Sequence, residues 1–573
     1  MKNAIDCQGC ERILFDSKKT SHKTPFGCIY ENEKCTLRVS VPLSCPVTYV
    51  YAIIEREDGL SLTVPLEKGN VSEGYADYFC VFSLYSSGLY FYYFVFEKKD
   101  SSFRLLKQGD GDTNMEEGEK WQITCLPEKY RSPERFEGKV VYQIFPDRFN
   151  KSGECDLTDK LKPFTIHNDI NEPPIKGADE NGNWNCDFYG GNLRGIEEKL
   201  PYLSSLGVGV IYLNPIFMAY SNHRYDTADY MRIDPMLGDE SDFVSLCKSA
   251  KEQGILIILD GVFSHVGSNS KYFDSEGIFG GGAVSDPDSP YREWFDFVSY
   301  PDEYDCWWDV PTLPCVKEMS EGFLNLMIRN EDSVVAHWLS LGASGFRLDV
   351  ADELPDEFIA LLRKRVKEIN PDAIVVGEVW EDASNKISYE KRRKYFSGGE
   401  LDGVMNYVFR DGIINLLCKR IDAEEFASTV RGVCENYPSF ALNCSMTLLS
   451  SHDTTRIQTE LGRVLSDTLK GIKAASVLQY FLPGMPTIYY GDEVGMKGGD
   501  DPYNRAFFRE ESESSELIAH YRRLGKLRKD NACLRFGKTD IYSKGNELTV
   551  IRELGEEKKT LVLDVDTLEY AIY

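Results

Sequence analysis

The stretch GFRLDVADE, residues 345–353, sets Arg347 and Asp349 two positions apart, just after the apolar, helix-like run VVAHWLSLG. In a strand alternate side chains share a face, so Gly345, Arg347 and Asp349 point one way and Phe346 and Leu348 the other, with Gly345 leaving room behind the ions. An isolated ion pair is more often structural than catalytic. Three further segments, however, place acids or histidines directly after short apolar runs: DGVFSH supplies Asp260 and His265, VVGEVW supplies Glu378 and Trp380, and SSHDTTR supplies His452 and Asp453. Three carboxylates brought together suit cleavage of a glycosidic bond, in which one attacks or supports the anomeric carbon and a carboxylic acid protonates the departing oxygen. Arg347 is expected to favour the ionised form of Asp349, as a nucleophile needs. The apolar neighbours of Glu378 are expected to raise its carboxyl, as a general acid needs. Neutral imidazoles at His265 and His452 can donate to hydroxyls, and Asp453 can grip two hydroxyls at once.

These residues converge only if the chain delivers them to one place. Eight short, nearly continuous apolar runs recur with helical segments between them: KVVYQIF, VGVIYL, ILIILD, SGFRLD, AIVVGE, DGVMNY, MTLLSS and PTIYYG. Runs of this kind are what parallel strands covered on both faces look like. Eight of them, alternating with helices, predict a (β/α)₈ barrel, whose active site lies at the C-terminal strand ends. The third, fourth, fifth and seventh runs all end in the residues named above. Between Asp260 and Ser344 lies a long segment rich in Gly, Asp, Pro and aromatic residues. Its part from about 266 to 315 is expected to be an excursion that walls the site. Before the barrel, residues 1 to about 125 alternate β-rich runs with turn clusters, the pattern of an antiparallel β-sandwich. The barrel domain is assigned to 126–532, and a short β domain to 533–573.

Composition narrows the partners. A net charge of −27 over 573 residues argues against nucleic acid and anionic membranes, both of which require positive charge. A neutral substrate fits better, and 31 Phe, 33 Tyr and 7 Trp include enough rings to stack on one. No signal peptide or apolar run of membrane-spanning length is evident, so a cytoplasmic location is expected. The 16 cysteines lack framework spacing and read as reduced thiols. The lone Cys7-x-x-Cys10 pair reads as structural or incidental.

The ordered set DGVFSH, GFRLDVADE, GEVW and SHD resembles the four signature regions of the α-amylase family, glycoside hydrolase family 13. YQIFPDRF, FYGGNLRGI, HRYDTADYMRIDPMLG and GDEVGMKGGDDPYNR extend the resemblance towards the neopullulanase, cyclomaltodextrinase and maltogenic amylase group, whose N-terminal β-sandwich is similar to a carbohydrate-binding module. The resemblance implies a retaining mechanism, with Asp349 as nucleophile, Glu378 as acid/base and Asp453 as transition-state stabiliser. In such enzymes the first two carboxyls lie roughly 5 to 5.5 Å apart. It also implies that Asp260 maintains the site and that His265, Arg347 and His452 contact the sugar at the cleavage position. Tyr225 would stack under that sugar, Asp501 and Arg505 would bind the next glucose, and Trp380 would face the acceptor. In relatives the sandwich often covers a partner subunit's cleft, so a homodimer through the N-terminal domain is a further implication.

Some positions depart from that pattern. Ser264 and Asn192 stand where many relatives carry calcium ligands, so no calcium or other cofactor is expected to be required. WWDVPTLP, 307–314, replaces a Met-Pro-Lys-Leu signature, and Trp307 and Trp308 are either sugar platforms or packed core. The expected activity is hydrolysis of α-1,4 links in maltooligosaccharides, cyclodextrins or pullulan, with α-1,6 cleavage and transglycosylation as extensions. A 4-α-glucanotransferase is the near alternative. The remote ones are a metal-dependent barrel enzyme, with Asp349, Asp352, Glu353 and Glu378 on magnesium, and a non-catalytic glycan-binding scaffold.

Overall fold

The computed structural model describes residues 12–109, 111–509 and 515–573, so Cys7 and Cys10 lie outside the described residues. The chain divides into two compact units. One comprises Met1–Arg131, Asp382–Glu400 and Ala427–Ala441; the other comprises Ser132–Glu381, Leu401–Phe426 and Leu442–Tyr573. Among the described residues no helix is long and apolar enough to cross a membrane.

The first unit contains two sheets. The smaller orders Lys23–Thr24, Lys34–Pro42, Tyr75–Ser83 and Glu67–Ser72; the larger is built around Gly88–Glu97, flanked by Tyr49–Arg56, Ser102–Gln108 and Trp121–Leu126. Strand Lys34–Pro42 shows why they pack face to face. Cys35, Leu37, Val39 and Val41 are buried while the residues between them are not, so one face turns inward. That face shares a core with Tyr92, Phe94 and Ile123 of the other sheet. The pairing is antiparallel except that Ile29–Tyr30 runs parallel to Trp121–Leu126.

The second unit holds the barrel. Val140–Ile144, Val208–Leu213, Leu256–Gly261, Gly345–Leu348, Ile374–Val379, Gly403–Asn406, Met446–Leu448 and Met485–Tyr489 close in that order into one parallel ring. All but Leu256 of these residues are buried, which is why the sequence runs are continuously apolar rather than alternating. Val141, Val210, Ile258, Val376, Met405 and Leu448 fill the interior. After the third strand the chain makes its long excursion in turns, short 3₁₀ helices and two strands of two or three residues, and regains α-helix at Glu321–Leu324 and Val334–Ser340. Ser333 caps the latter by accepting from the Ala336 N–H at 3.4 Å. A four-stranded antiparallel sheet, Lys538–Lys544 to Tyr570–Ile572, follows the barrel.

Gly345 serves a purpose other than the one its spacing suggested. It has φ 145°, and a Cβ there would lie 2.1 Å from the Ile374 carbonyl oxygen. The room it leaves is for the backbone of the fifth strand, not for the ions.

Candidate active site

Parallel register sets Asp260 beside Arg347 on neighbouring strands, and Arg347 beside Val376 of the fifth. Asp349 and Glu378 follow at the same rim. The Arg347 side chain is fully buried and donates to three carboxylates: Nη1 to Asp260 Oδ1 at 2.6 Å and Asp349 Oδ1 at 2.8 Å, and Nη2 to Glu378 Oε2 at 2.6 Å. Its Nε–H lies 3.4 Å from Met405 Sδ. The pair that looked private in the sequence is therefore a three-acid hub.

Asp349 and Glu378 each have more neighbours than their sequence spacing displayed. Burial pushes the Asp349 carboxyl well above its ordinary range; Arg347 opposes this, while Glu378, Asp260 and Asp453 add to it. Arg347 alone does not secure the ionised form. Glu378, in turn, meets three N–H donors. Besides Arg347, the Val350 N–H donates to Oε2 at 2.9 Å and Trp380 Nε1–H to Oε1 at 3.1 Å. Val350 reaches this position with φ 26°, outside the allowed regions for a β-branched residue. Such strain persists where surrounding contacts fix it, and here it aims an N–H at the candidate acid.

A second network joins strands one, two, three and seven. Gln143 Nε2–H donates to His452 Nδ1 at 3.0 Å and to Asn214 Oδ1 at 3.0 Å. His452 Nε2 lies 2.5 Å from the Tyr225 hydroxyl, which donates to Asp260 Oδ2 at 2.9 Å. Tyr212 donates to the same Oδ2 at 2.6 Å. With Nδ1 accepting, the proton of His452 sits on Nε2. Burial, helped by Arg505 and Arg347, holds that imidazole neutral, and burial lowers His265 to about 3. His265 Nδ1 pairs with Ser264 Oγ at 3.0 Å, while its buried Nε2 has no protein partner. The Tyr225 ring lies parallel to that of His452, with centroids 5.3 Å apart.

Asp453 stands between the groups. Its Oδ2 is 3.0 Å from His452 Nε2, its Oδ1 is 3.5 Å from Arg505 Nη2, and a third of its side chain remains exposed. Desolvation in the cleft and the nearby Glu378 raise its carboxyl to about 7, opposed by Arg505 and Arg347. Arg505 Nη1 also reaches Asp501 Oδ1 at 3.0 Å, so the two residues expected to bind a neighbouring glucose are themselves paired. Asp260, Arg347, Asp349, Glu378, Trp380, Tyr225, His452, Asp453, Arg505 and Asp501 are thus linked at this rim by a direct contact or through one intermediary, while His265 pairs with Ser264, its neighbour in sequence. Sequence reasoning missed Tyr212, Gln143, Asn214 and Val350. Asn214, polar at the end of VGVIYL, was the available signal; the Val350 backbone left none.

A model of the α-amylase catalytic domain matches residues 143–535. The chain belongs to the α-amylase family. Within it, an amylopullulanase from Thermoanaerobacter thermohydrosulfuricus is 32% identical, covering 96% of this chain and 41% of its own length. The chain spans less than half the length of the amylopullulanases it matches. A cyclomaltodextrinase from Geobacillus thermopakistaniensis is 33% identical, covering 74% of this chain and 68% of its own. The solved type III pullulan hydrolase from Thermococcus kodakarensis superposes with a TM-score of 0.67 at 25% identity, over 97% of this chain and 94% of that one.

The two positions where α-amylase relatives place calcium ligands are otherwise engaged. Asn192 caps the helix Leu193–Glu198: its Oδ1 accepts from Gly195 N at 2.8 Å and Ser152 N at 3.2 Å, and its Nδ2 donates to Ser152 O at 2.9 Å. Ser264 Oγ lies 3.0 Å from His265 Nδ1.

Proposed function

We propose that the chain is a retaining α-glucan hydrolase cleaving α-1,4-glucosidic bonds of maltooligosaccharides, cyclodextrins or pullulan. The observation that carries this reading is the single guanidinium of Arg347 bonded to both Asp349 and Glu378, with Asp453 facing them from the seventh strand. One cation holds two carboxyls on the same small space, the arrangement a double displacement needs. Protonated Glu378 gives its proton to the glycosidic oxygen while an Asp349 oxygen bonds to the anomeric carbon and the leaving sugar departs. Glu378, now a carboxylate, then takes a proton from water, whose oxygen displaces Asp349 and regenerates the starting enzyme. Asp453 supports charge on the ring in both transition states, and the neutral His265 and His452 orient hydroxyls. The relatives named as amylopullulanase and cyclomaltodextrinase support α-glucans as the substrate class.

The test is incubation with cyclodextrin, pullulan and linear maltodextrin, with identification of products and their anomeric form. A fluorinated glycosyl fluoride that slows the second step should label Asp349. Labelling elsewhere, or inverted product, overturns the mechanism. A second reading, 4-α-glucanotransferase, draws on Trp380. Its ring lies 4.0 Å from Tyr407 and nearly parallel, is 41% exposed, and offers an apolar face beside the acid/base. Disproportionation with no net gain of reducing ends would establish the transferase instead.

A further inference from the structure

Trp307 and Trp308 take no part in the reaction as described. They occupy a short 3₁₀ turn, Trp307–Asp309, in the excursion after the third strand. Trp308 and Asp309 are both left-handed, with φ 48° and 60°, a strained run for two residues with side chains. The turn is fixed all the same. Trp307 N donates to Leu313 O and Val310 N to Trp307 O, both at 2.9 Å. The two indoles stack at 4.6 Å between centroids and 5° between planes, and Trp307 packs in turn on His265 at 5.3 Å. Trp308 Nε1–H donates to Glu353 Oε1 at 3.3 Å. Trp308 is 68% exposed, so a core role is excluded for it.

Trp380 repeats this construction. Each indole is backed by a parallel ring, each donates its edge N–H to a carboxylate at or after a strand end, and each is exposed, Trp308 by 68% and Trp380 by 41%. Glu353 follows the fourth strand and Glu378 ends the fifth, while His265 follows the third. These three strands adjoin in the barrel order, on the other side of the ring from the seventh and eighth, which carry Asp453 and Arg505. A fixed, exposed indole matches the C–H face of a pyranose, which is uncharged and apolar.

We propose that Trp308 is a platform for a glucosyl unit on the leaving-group side of the cleaved bond, held at its working angle by Trp307 and Glu353. This rests on the α-glucan reading above and adds a specificity determinant to it. Glu378 hands its proton to the leaving oxygen, so the half of the rim shared by Glu378, Trp380 and Trp308 is the half where the departing chain lies. Trp308 would then favour substrates that extend several sugars beyond the cleavage point.

Steady-state rates are to be compared for maltoheptaose and for 4-nitrophenyl α-maltoside, whose leaving group is one small ring, in wild type, Trp308→Ala and Trp308→Phe. The expected result is a fall of about 10-fold in kcat/KM for maltoheptaose in Trp308→Ala, the scale of losing one aromatic anchor. It should lie mainly in KM, with Trp308→Phe recovering most of it. The fall for the nitrophenyl substrate should be several-fold smaller. Equal falls on both substrates, or none on either, overturn the proposal. In Asp349→Asn, maltoheptaose should shift the indole emission, and adding Trp308→Phe should remove that part of the shift. An unchanged shift refutes the contact directly. Wild-type enzyme that turns over neither substrate would refute the α-glucan reading rather than the platform.

Discussion

Replacing Arg347 by Met keeps an unbranched, buried side chain but strips the guanidinium from three carboxylates 2.6 to 2.8 Å away. Removing one partner from a buried ion network costs about 3 to 5 kcal/mol when the remaining charges stay ionised. They need not stay ionised at every pH. Burial already holds Asp349 and Asp260 above the ordinary carboxylate range, with Arg347 the first group to oppose it, so Arg347→Met raises both further. A carboxyl whose folded pKa exceeds its unfolded value contributes stability below the unfolded value and loses it as pH rises through the folded one. The variant's deficit should therefore be small near pH 5, where protons replace the guanidinium, and approach its full size near pH 8. For a domain this large that is a loss of about 5 °C in Tm at pH 8. If a similar energy is lost from the transition state, kcat/KM falls by about 10³-fold or more, with the acid limb of the rate profile moved to higher pH. Calorimetric scans at the two pH values and a pH–rate profile measure both effects. A stability deficit that is constant with pH, or larger at pH 5, would refute the claim that one guanidinium neutralises this cluster.

Asp349→Asn should abolish turnover yet raise Tm at pH 8, because it removes a carboxyl that burial disfavours; the gain should vanish towards pH 4, and scans showing lower stability at pH 8 would contradict the acidity assigned to it. Glu378→Gln should lower kcat by about 10²- to 10⁴-fold for oligosaccharides but much less for a glycosyl fluoride, whose leaving group needs little protonation; equal losses on the two substrates would remove Glu378 from the acid role. Val350→Gly should relieve a strained backbone and raise stability by about 1 kcal/mol, read by denaturant unfolding, and a fall would show the strain to be absent. Exhaustive treatment with a chelator should leave both activity and Tm unchanged, given the occupied donor atoms of Asn192 and Ser264; a loss restored by calcium would place a functional ion elsewhere.

The barrel was legible because its cause is local. A strand buried on both faces must be apolar along its whole length, and eight such runs stand out without knowledge of what touches them. The acids were legible for a related reason, since a charge directly after an apolar run lies at a strand end. What the spacing could not convey is how many partners one side chain has. Arg347 read as half of a pair with Asp349, because sequence distance displays the neighbour two residues on and hides Asp260 and Glu378, 87 and 31 residues away. The same limit hid Gln143, which reaches His452 across 309 residues. Segments 382–400 and 427–441 belong to the unit built on the N-terminal sheets, which a linear division at residue 125 does not capture. Val350 was illegible for another reason: its residue type argues against the backbone it adopts.

Arg347 leaves the rim short of positive charge, since Asp260, Asp349 and Glu378 share one guanidinium and Asp453 adds a further acid nearby. Wherever those carboxyls ionise, negative charge on the hub exceeds the one positive charge Arg347 brings to it. A neutral sugar at rest supplies no further positive charge and is held by hydrogen bonds and ring faces alone. On the proposed reaction the anomeric centre becomes cationic at the top of the barrier, and only there does the substrate complete the ion balance. The attraction is thus greatest in the transition state, where it speeds the reaction rather than merely tightening binding. A sugar-shaped amine that carries a permanent positive charge would meet the same carboxylates without reacting.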